Sequence, residues 1–562
     1  MGKRYAVACG HYLAGATAVR ILERGGNAVD AGVSASMALA VLQPDVVSFS
    51  GVAPTLIHQK NGDTVHSLAG LGWWPQSTDI ERLRSEGGGV VPEGLLRTVM
   101  PAAPATHIEA LLHFGTISFE EAASAAHEIA RDGFAAYPVF VRHMEKFQEK
   151  YRRWPSSAAV YLPRGRPPRV GEIFRQEELA RSIAGMMQAE RNAPGDRTTK
   201  LRAARDYYYK GPIAEGIARF HREHRGFVTR EDLAAFEVAV EKSISCDYKT
   251  HQIHSCDTWC QGISLLQSLK ILEGIDLATL GHNSPAYIHM VCEALNLAFA
   301  DREAYVGDPR FVDVPVAGML SAKYAEAQRE RIDITKAFGA LPAPGKPPGT
   351  LRNPFIPVLS SYPAAVPGMA LDTIYCCVVD ADGNAYSATL SDNARDTPVI
   401  PSLGGTVSSR GAQGRLEAGH PAEVRPGKRP RLTPAPALAL CDGKFAMGFG
   451  TPGGDVQAQA MLQVYLNIHE FGMTVQQAIE QPRFGTFLFP NSFSPHAIGK
   501  FNVENRLPDS TVVALKKLGH AVQLWSDLTP AAGAVCAIRR DPETGWLHAG
   551  ADPRREAYAF AW

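Results

Sequence analysis

Apolar positions recur with helical spacing along several stretches of the chain. The first, residues 13–42, is rich in Ala, Val, Ile and Leu and is broken at Gly25-Gly26, which predicts two helices joined by a short corner. The second of these helices is almost wholly apolar, so we expect it to be buried. A capping box that starts at Ser118 predicts a helix over residues 118–130, and a Ser-Pro start predicts another over residues 284–305.

Patterns typical of strands lie between and after these helices. Residues 55–68 predict a hairpin with its turn at Asn61-Gly62-Asp63. Residues 371–380 form a strongly β-forming run, and residues 385–390 follow as a returning strand after a turn at Asp382-Gly383-Asn384. The two runs predict an antiparallel hairpin.

The last third of the chain also contains patterns typical of strands followed by helices. Strands are predicted over residues 435–441 and 444–449, followed by a glycine loop, a helix over residues 455–471 and a second helical segment over residues 474–481. The sequence therefore predicts a mixed α/β (α+β) protein with much antiparallel pairing.

Two stretches lack a clear pattern. Residues 144–210 are dense in Arg and Lys, which is typical of a solvated face, and we assign them no function. Residues 338–370 contain Pro and Gly every few positions and almost no charge, which predicts a long loop or tail.

Charge and composition narrow the function classes. The 562 residues carry 57 Lys+Arg against 57 Asp+Glu, so no net positive charge attracts nucleic acid or an anionic membrane, and we expect neither as a partner. The start of the chain lacks the apolar run of a secretory signal, and no stretch approaches a membrane span. The nine cysteines are odd in number and scattered, which favours the cytoplasm.

Two motifs for metal or nucleotide binding are present in part. His251, His254, Cys256 and Cys260 offer ligands for a metal, but they are crowded into ten residues, so buried thiols and satisfied histidines are favoured and no metal is expected. The run from Gly448 to Gly453 fits G-x-G-x-x-G between a strand and a helix. Its Pro452 stiffens the loop and no parallel strand follows, so a dinucleotide site is not expected either, and no cofactor is implied.

The same glycine loop has two other interpretations. Adjacent glycine N–H groups at a helix start can converge on one point and form an oxyanion hole, whereas a plain tight turn would carry no chemistry.

Thr373 is the second candidate for chemistry. It stands at the start of a predicted buried strand, directly after the Pro/Gly-rich stretch. If the chain is cut before it, the new α-amino group, with a pKa of about 7.7 to 8.0, can act as general base for the threonine hydroxyl. On this pattern alone a structural threonine is favoured, because β-branched residues start strands routinely.

Six segments in the same order resemble the γ-glutamyltransferase family of N-terminal nucleophile hydrolases. Together they span nearly the whole chain, and they favour the catalytic interpretation of Thr373. The segments are Gly25 to Ala31, Leu295 to Arg302, Asp372 to Ala385, Gly427 to Pro430, Thr451 to Gly454, and Gln481 to Phe484.

The resemblance implies a four-layer αββα fold made as one inactive precursor. Cleavage between Asp372 and Thr373 would give a large chain of residues 1–372, ending in the tail at about 338–370, and a small chain of residues 373–562. The two chains would stay together as a heterodimer, and two such heterodimers could associate. Each predicted chain is formally neutral, since residues 373–562 contain 17 Lys+Arg and 17 Asp+Glu, so a shared apolar core is expected to hold them together.

The resemblance also assigns the catalytic residues. Thr373 would be nucleophile and, through its new amine, base. Gly453 and Gly454 match the oxyanion-hole positions, and Ser391 matches a supporting threonine whose hydrogen bond a serine can make.

The substrate-binding positions depart from the glutathione-type pattern. Residues 69–75 lack the arginine that holds the substrate α-carboxylate, and an acidic pair is replaced around Arg410. Asn393 is retained, and Thr433 keeps one of two hydroxyls. We therefore expect Arg410, Asn393 and Thr433 to bind an acyl group that carries a negative charge without the neighbouring amine, although Arg410 could instead be structural.

Three functions remain open from the sequence. The first is a self-processing threonine amidohydrolase acting on a small acyl amide, of the branch that includes oxamate amidohydrolase and glutathione hydrolase-like proteins. A short segment between residues 410 and 427, where transferring members carry a lid, favours hydrolysis over transfer. The second is a true γ-glutamyl hydrolase or transferase, and the third is an uncleaved, inactive binding homologue.

Overall fold

The strands are short and strongly apolar, and most of them are buried. A computed structural model describes residues 1–60, 62, 64–358 and 372–562. In that part of the chain the strands are β1 (Ala6–Cys9), β2 (Thr55–His58), β3 (Val65–Leu68), β4 (Phe134–Ala135), β5 (Ile173–Phe174), β6 (Val240–Lys242), β7 (Ile244–Tyr248), β8 (His251–Ser255), β9 (Thr373–Val379), β10 (Ala385–Ser391), β11 (Ala437–Cys441), β12 (Lys444–Gly450), β13 (Phe484–Gly485), β14 (Phe501–Glu504), β15 (Val522–Trp525), β16 (Cys536–Arg540), β17 (Leu547–Gly550) and β18 (Tyr558–Ala561).

The helices precede and follow these strands in groups. They are α1 (Tyr12–Glu23), α2 (Ala28–Leu42), α3 (Ile80–Gly87), α4 (Ala103–Phe114), α5 (Phe119–Asp132), α6 (Pro138–Lys146), α7 (Gln148–Arg152), α8 (Pro155–Tyr161), α9 (Glu177–Asn192), α10 (Arg197–Tyr209), α11 (Pro212–Glu223), α12 (Arg230–Ala235), α13 (Gly262–Leu272), α14 (Leu277–Leu280), α15 (Pro285–Tyr305), α16 (Val316–Met319), α17 (Ala322–Arg329), α18 (Gln457–His469), α19 (Val475–Glu480) and α20 (Asp509–Lys517). No described helix has the length and apolar character needed to cross a membrane.

Two antiparallel sheets lie at the centre of the fold. One has the order β18-β1-β9-β10-β2-β3-β6, and the other has the order β17-β16-β12-β11-β8-β7. Side chains from the facing surfaces of β1, β9, β11 and β16 form one apolar cluster between the sheets. A second cluster packs the outer surface of the first sheet against helices, and a third does the same for the second sheet. The layers are therefore helix, sheet, sheet and helix, which confirms the predicted αββα fold.

The predicted helix boundaries agree closely with the structure. The break at Gly25-Gly26 separates α1 from α2, and every residue of α2 is buried. Ser118 caps α5 through a reciprocal bond with Glu121, and Ser284 caps α15. The predicted helix over residues 455–471 is shorter, because a 3-10 turn at Gly454–Val456 precedes α18.

The hairpin of β9 and β10 places the predicted nucleophile inside the molecule. Side chains alternate along β9, so Ile374 faces the helices while Tyr375 faces the second sheet. Thr373 shares the parity of Tyr375 and is paired across the hairpin with Ser391. The two hydroxyl side chains therefore meet at the end of the hairpin, on the side that faces the other sheet.

Strands from both sides of the predicted cleavage position alternate within each sheet. β1 lies between β18 and β9, and β10 pairs with β2. In the other sheet, β11 pairs with β8. Residues before and after position 372 thus share the same cores, as expected from their formal neutrality.

Residues 144–210 are less solvated than their composition suggests. They form parts of α6 to α10, whose buried faces include Tyr151, Tyr161, Tyr208 and Tyr209. The Arg and Lys side chains of this stretch are mostly exposed, as expected for a solvated face, and the aromatic side chains lie on the buried side of the same helices.

Two predicted loops lie partly outside the described residues. Residues 338–358 contain no strand or helix, as predicted for the Pro/Gly-rich stretch, and the remainder of it, residues 359–371, is outside the described part. In the predicted turn between β2 and β3, Asn61 and Asp63 are outside it as well.

Candidate active site

The nucleophile candidate is in contact with the peptide group that would be cut. Thr373 Oγ1 lies 2.7 Å from the carbonyl oxygen of Asp372, to which it donates, and 2.7 Å from Ser391 Oγ. Ser391 Oγ also donates to the same carbonyl oxygen. The structure therefore brings Asp372, Thr373 and Ser391 together, and the pairing of β9 with β10 is what aligns the two hydroxyls.

Arg410 reaches the same point from a 3-10 turn formed by Arg410–Gln413. Its Nη2 donates to the Asp372 carbonyl oxygen at 2.9 Å and to Ser391 Oγ at 2.6 Å. Its Nη1 donates to the Asp372 carboxylate at 2.9 Å. A single guanidinium thus holds both the carbonyl and the carboxylate of Asp372.

These charges are enclosed. Asp372 and Arg410 each expose 1% of their surface, and Thr373 and Ser391 expose none. Burial opposes the charge of Arg410, but Asp372 and Asp392 outweigh it and raise the pKa of the guanidinium. The cation therefore persists at neutral pH beside a carbonyl oxygen, where it can stabilise negative charge that develops on that oxygen.

Asp392 completes this ion cluster, and sequence reasoning missed it. It accepts from Ser408 Oγ at 2.6 Å, from the backbone N–H of Ser409 at 2.9 Å, and from Ser409 Oγ. Its carboxylate lies 3.9 Å from Arg410 Nε. A φ of +120°, rare for a residue with a side chain, turns the chain sharply after Ser391. The acid that faces Arg410 therefore comes from a different segment than the arginine itself.

Arg555 is a second residue that the sequence did not reveal. Its Nη1 donates to the backbone oxygen of Thr373 at 3.3 Å, and its Nε and Nη2 have no hydrogen-bond partner. Burial lowers the pKa of Arg555 to about 10, and Asp372 is the first of the acids that counteract this shift. The only signal in the sequence is the Arg554-Arg555 pair near the end of the chain, far from Thr373.

The glycine loop follows β12 and has the conformation that only glycine adopts readily. Gly453 has φ +127° and Gly454 has φ +59°. A side chain at Gly453 would meet Val456 Cγ1 at 2.4 Å. Phe493 is a common neighbour of the loop and of Arg410. The Arg410 guanidinium lies 5.3 Å from the centroid of the Phe493 ring, and a Cβ at Gly454 would lie 3.4 Å from the edge of that ring.

Buried polar residues hold the loop in place. Gln261 Nε2 donates to the carbonyl oxygens of Gly454 and Thr433, each at 3.0 Å. Arg302 on α15 donates to Gln261 at 2.7 Å and to Asp455 at 2.6 Å. The resemblance included Arg302 as part of a motif, and the structure gives it this bracing contact.

Two predicted substrate-binding side chains are engaged in local contacts. Asn393 Oδ1 accepts from the N–H groups of Arg395 and Asp396, and its Nδ2 donates to Asp396 at 3.0 Å. Thr433 Oγ1 accepts from Gln413 at 2.8 Å. Their contribution to substrate binding stays a prediction.

The candidate metal ligands of the sequence do not converge. His254 bonds to Ser243 Oγ at 3.0 Å, and Cys260 Sγ donates to the backbone oxygen of Cys256. Across residues 1–60, 62, 64–358 and 372–562, the one His/Cys/Asp/Glu group close enough for a shared ion is His289, Glu293 and His520. His289 and His520 are hydrogen-bonded to each other at 2.8 Å, on the helical side of the second sheet.

The fold defines an amide hydrolase, and a buried threonine hydroxyl, that of Thr373, starts one of its central strands. The family model described as gamma-glutamyltranspeptidase matches residues 14–562. The chain belongs to this family, as the sequence motifs predicted.

Relatives and solved structures cover the chain almost completely. The glutathione hydrolase-like YwrD proenzyme of Bacillus subtilis is 30% identical over 100% of this chain and 98% of its own length. The oxamate amidohydrolase proenzyme of Klebsiella pneumoniae is 26% identical over 98% of this chain and 97% of its own length.

The solved structure of LmbA2991HD covers 100% of this chain and 98% of its own, with 33% identity and a TM-score of 0.92. That of cephalosporin acylase from Bacillus halodurans covers 100% and 96%, with 27% identity and a TM-score of 0.86.

Proposed function

We propose that the chain is a proenzyme that cuts itself between Asp372 and Thr373 and then hydrolyses a small amide with Thr373 as nucleophile. The observation that carries the proposal is the contact of Thr373 Oγ1 with the Asp372 carbonyl oxygen, at a point where Ser391 and Arg410 also donate to that oxygen. A nucleophile next to a polarised carbonyl is the arrangement that acyl transfer requires.

The cut would begin with attack of Thr373 Oγ1 on the Asp372 carbonyl carbon. The C–O bond of an ester forms, the C–N bond of the peptide breaks, and the hydroxyl proton passes to the departing nitrogen. Water then opens the ester, which leaves a carboxylic acid on Asp372 and restores the threonine hydroxyl. The free α-amine, whose ordinary pKa is about 7.7 to 8.0, becomes the general base for the next substrate.

Cleavage would also be needed to admit a substrate. In the uncut chain Asp372 occupies the space beside Thr373, and Asp372, Thr373, Ser391 and Arg410 each expose 1% of their surface or less. Once Asp372 moves away, an amide carbonyl can take its place. Its oxyanion would be stabilised by the N–H groups of Gly453 and Gly454, both of which have positive φ angles in the uncut chain.

The acyl group of the substrate is proposed to carry a negative charge. Arg410 supports this because it is a buried cation at the nucleophile, and losing Asp372 leaves Asp392, at 3.9 Å, as its nearby counter-charge. Asn393 and Thr433 would complete the pocket. The free thiols of all nine cysteines fit a proposed cytoplasmic location.

Thr373→Ala tests the mechanism. The variant should remain a single uncut chain on a denaturing gel and should hydrolyse no amide, whereas the wild type should give two fragments whose masses meet at Asp372 and Thr373. A Thr373→Ala protein that is cut at this bond and active would exclude Thr373 as nucleophile.

A γ-glutamyl hydrolase or transferase is the second candidate, favoured by the glutathione hydrolase-like relative. Release of the chromophore from a γ-glutamyl anilide tests for a γ-glutamyl substrate, and comparing release with and without a dipeptide acceptor distinguishes hydrolysis from transfer. Faster release with the acceptor indicates transfer, and no release by a fully cut enzyme excludes the γ-glutamyl substrate.

A further inference from the structure

Asp372 is held as an acyl group would be held on this enzyme. Its carbonyl oxygen and one carboxylate oxygen are bound by the two terminal nitrogens of Arg410, each at 2.9 Å. The donors are in one plane and fixed by the guanidinium, so they match a particular spacing between a carbonyl and a carboxylate. In Asp372 that spacing is two carbon atoms.

Arg410 stays next to the nucleophile whatever acyl group is present. Its Nη2 lies 2.6 Å from Ser391 Oγ, and that hydroxyl lies 2.7 Å from Thr373 Oγ1. Any acyl group esterified to Thr373 Oγ1 therefore has its carbonyl within reach of the same guanidinium. In the self-cleavage step proposed above, the acyl group on that oxygen is Asp372 itself.

Departure of Asp372 leaves Arg410 short of negative charge. The carboxylate that remains, Asp392, lies 3.9 Å from Nε and already accepts bonds from Ser408 and Ser409. A buried guanidinium without a paired anion is unfavourable, so the emptied position attracts another carboxylate. Arg555, with two unbonded donor nitrogens and a contact to Thr373, adds a second cation on this side.

We propose that Asp372 occupies in the precursor the subsite that the substrate acyl group takes in the processed enzyme, and that the substrate is an amide of a dicarboxylic acid with two carbons between its carboxyl groups. This inference rests on the proposed function and adds the length of the acyl group to it. Arg410 serves first to anchor Asp372 and polarise the peptide that is cut, and afterwards to hold the carboxylate of the substrate.

The test compares four primary amides with the processed wild-type protein, by the release of ammonia. Malonamate, succinamate and glutaramate place one, two and three carbons between carboxylate and amide, and butyramide matches succinamate in length without the charge. We expect kcat/KM for succinamate to exceed that for each of the others by at least about tenfold, because a site built for a charged group rejects analogues that cannot reach it.

A variant and an inhibitor test whether Arg410 causes the preference for a charged acyl group. Arg410→Lys replaces the planar fork by a point charge, so the preference for succinamate over butyramide should fall strongly. Arg181→Lys, a change at an exposed arginine paired with Glu178, should keep the wild-type preference. If Arg410→Lys is not cut, competition in the wild type decides: succinate should inhibit and butyrate should not.

The outcomes separate the two proposals. Equal hydrolysis of butyramide and succinamate, or equal inhibition by butyrate and succinate, overturns the acyl subsite while the threonine amidohydrolase stands. An uncut wild-type chain overturns the proposed function and the subsite with it. A preference for malonamate or glutaramate contradicts the two-carbon spacing.

Discussion

Ser391→Ala should slow self-cleavage without unfolding the protein. Ser391 Oγ contacts the proposed nucleophile Thr373, the Asp372 carbonyl oxygen, and Arg410 Nη2. Its removal leaves Thr373 Oγ1 with one neighbour in place of two and deprives a buried charged donor of its closest acceptor. Hydrogen bonds to charged groups contribute about 1.5 to 3 kcal/mol, which corresponds to a cleavage rate lower by about tenfold to a hundredfold if the loss falls on the transition state.

The assay follows cleavage directly. The full-length chain is made in a cell-free reaction, synthesis is stopped, and the fraction of uncut chain is measured on a denaturing gel over time. Ser391→Thr keeps a hydroxyl at this position and should be cut much faster than Ser391→Ala. Intact mass at the end of the reaction verifies that the cut lies before Thr373.

Ser387→Ala is the matched control. Ser387 lies four residues earlier on β10, on the same face, and is equally buried, with bonds to Tyr375 Oη at 2.6 Å and to the Ala437 carbonyl at 3.1 Å. It does not touch Thr373, so its loss should cost stability and leave the cleavage rate near that of the wild type. Cleavage of Ser391→Ala at the wild-type rate, or an equal slowing in Ser387→Ala, would refute the reasoning.

Two further results are expected. Gly453→Ala should reduce amide hydrolysis by the cut enzyme more than Gly454→Ala, because its Cβ would lie 2.4 Å from Val456 Cγ1 whereas that of Gly454 meets only the ring edge of Phe493 at 3.4 Å; equal kcat/KM values for the two variants would contradict the loop geometry. Burial raises the pKa of Glu293 from 4.5 to about 7. Between these two values the folded chain holds a proton that the unfolded chain has lost. The contribution of this carboxyl group to folding stability is therefore present at low pH and is lost as pH rises through 7. Between pH 5 and pH 8 the free energy of unfolding in urea should therefore fall by about 2.5 kcal/mol more for the wild type than for Glu293→Gln, with His289 and His520 present in both; parallel pH curves would argue against an ionisable Glu293.

The order of strands and helices around Thr373 could be predicted because local patterns determine it. A continuous β-forming run, a glycine turn and a returning strand specify the hairpin of β9 and β10, and the pairing of Thr373 with Ser391 follows from the hairpin register. The glycine loop was found for the same reason, since positive φ values at Gly453 and Gly454 leave a trace in the sequence.

The ion cluster could not be predicted, because it depends on where distant segments meet. The sequence around Arg410 indicates an exchange of acidic for basic residues, yet the structure places Asp372 and Asp392 against that arginine. Arg555 reaches Thr373 from 182 positions along the chain. No periodicity or spacing relates such residues; only the packing of the two sheets brings them together.

The alternation of strands in the two sheets has a consequence for the history and handling of the molecule. Since β1 is enclosed by β9 and β18, and β10 pairs with β2, neither predicted fragment contains all the strands of either central sheet. A gene split at codon 373 would therefore not give two independently folding products, whereas a finished molecule nicked at that bond would keep every strand pairing. The peptide bond before Thr373 is thus expected to be needed while the two central sheets form, and no longer once all their strands are paired.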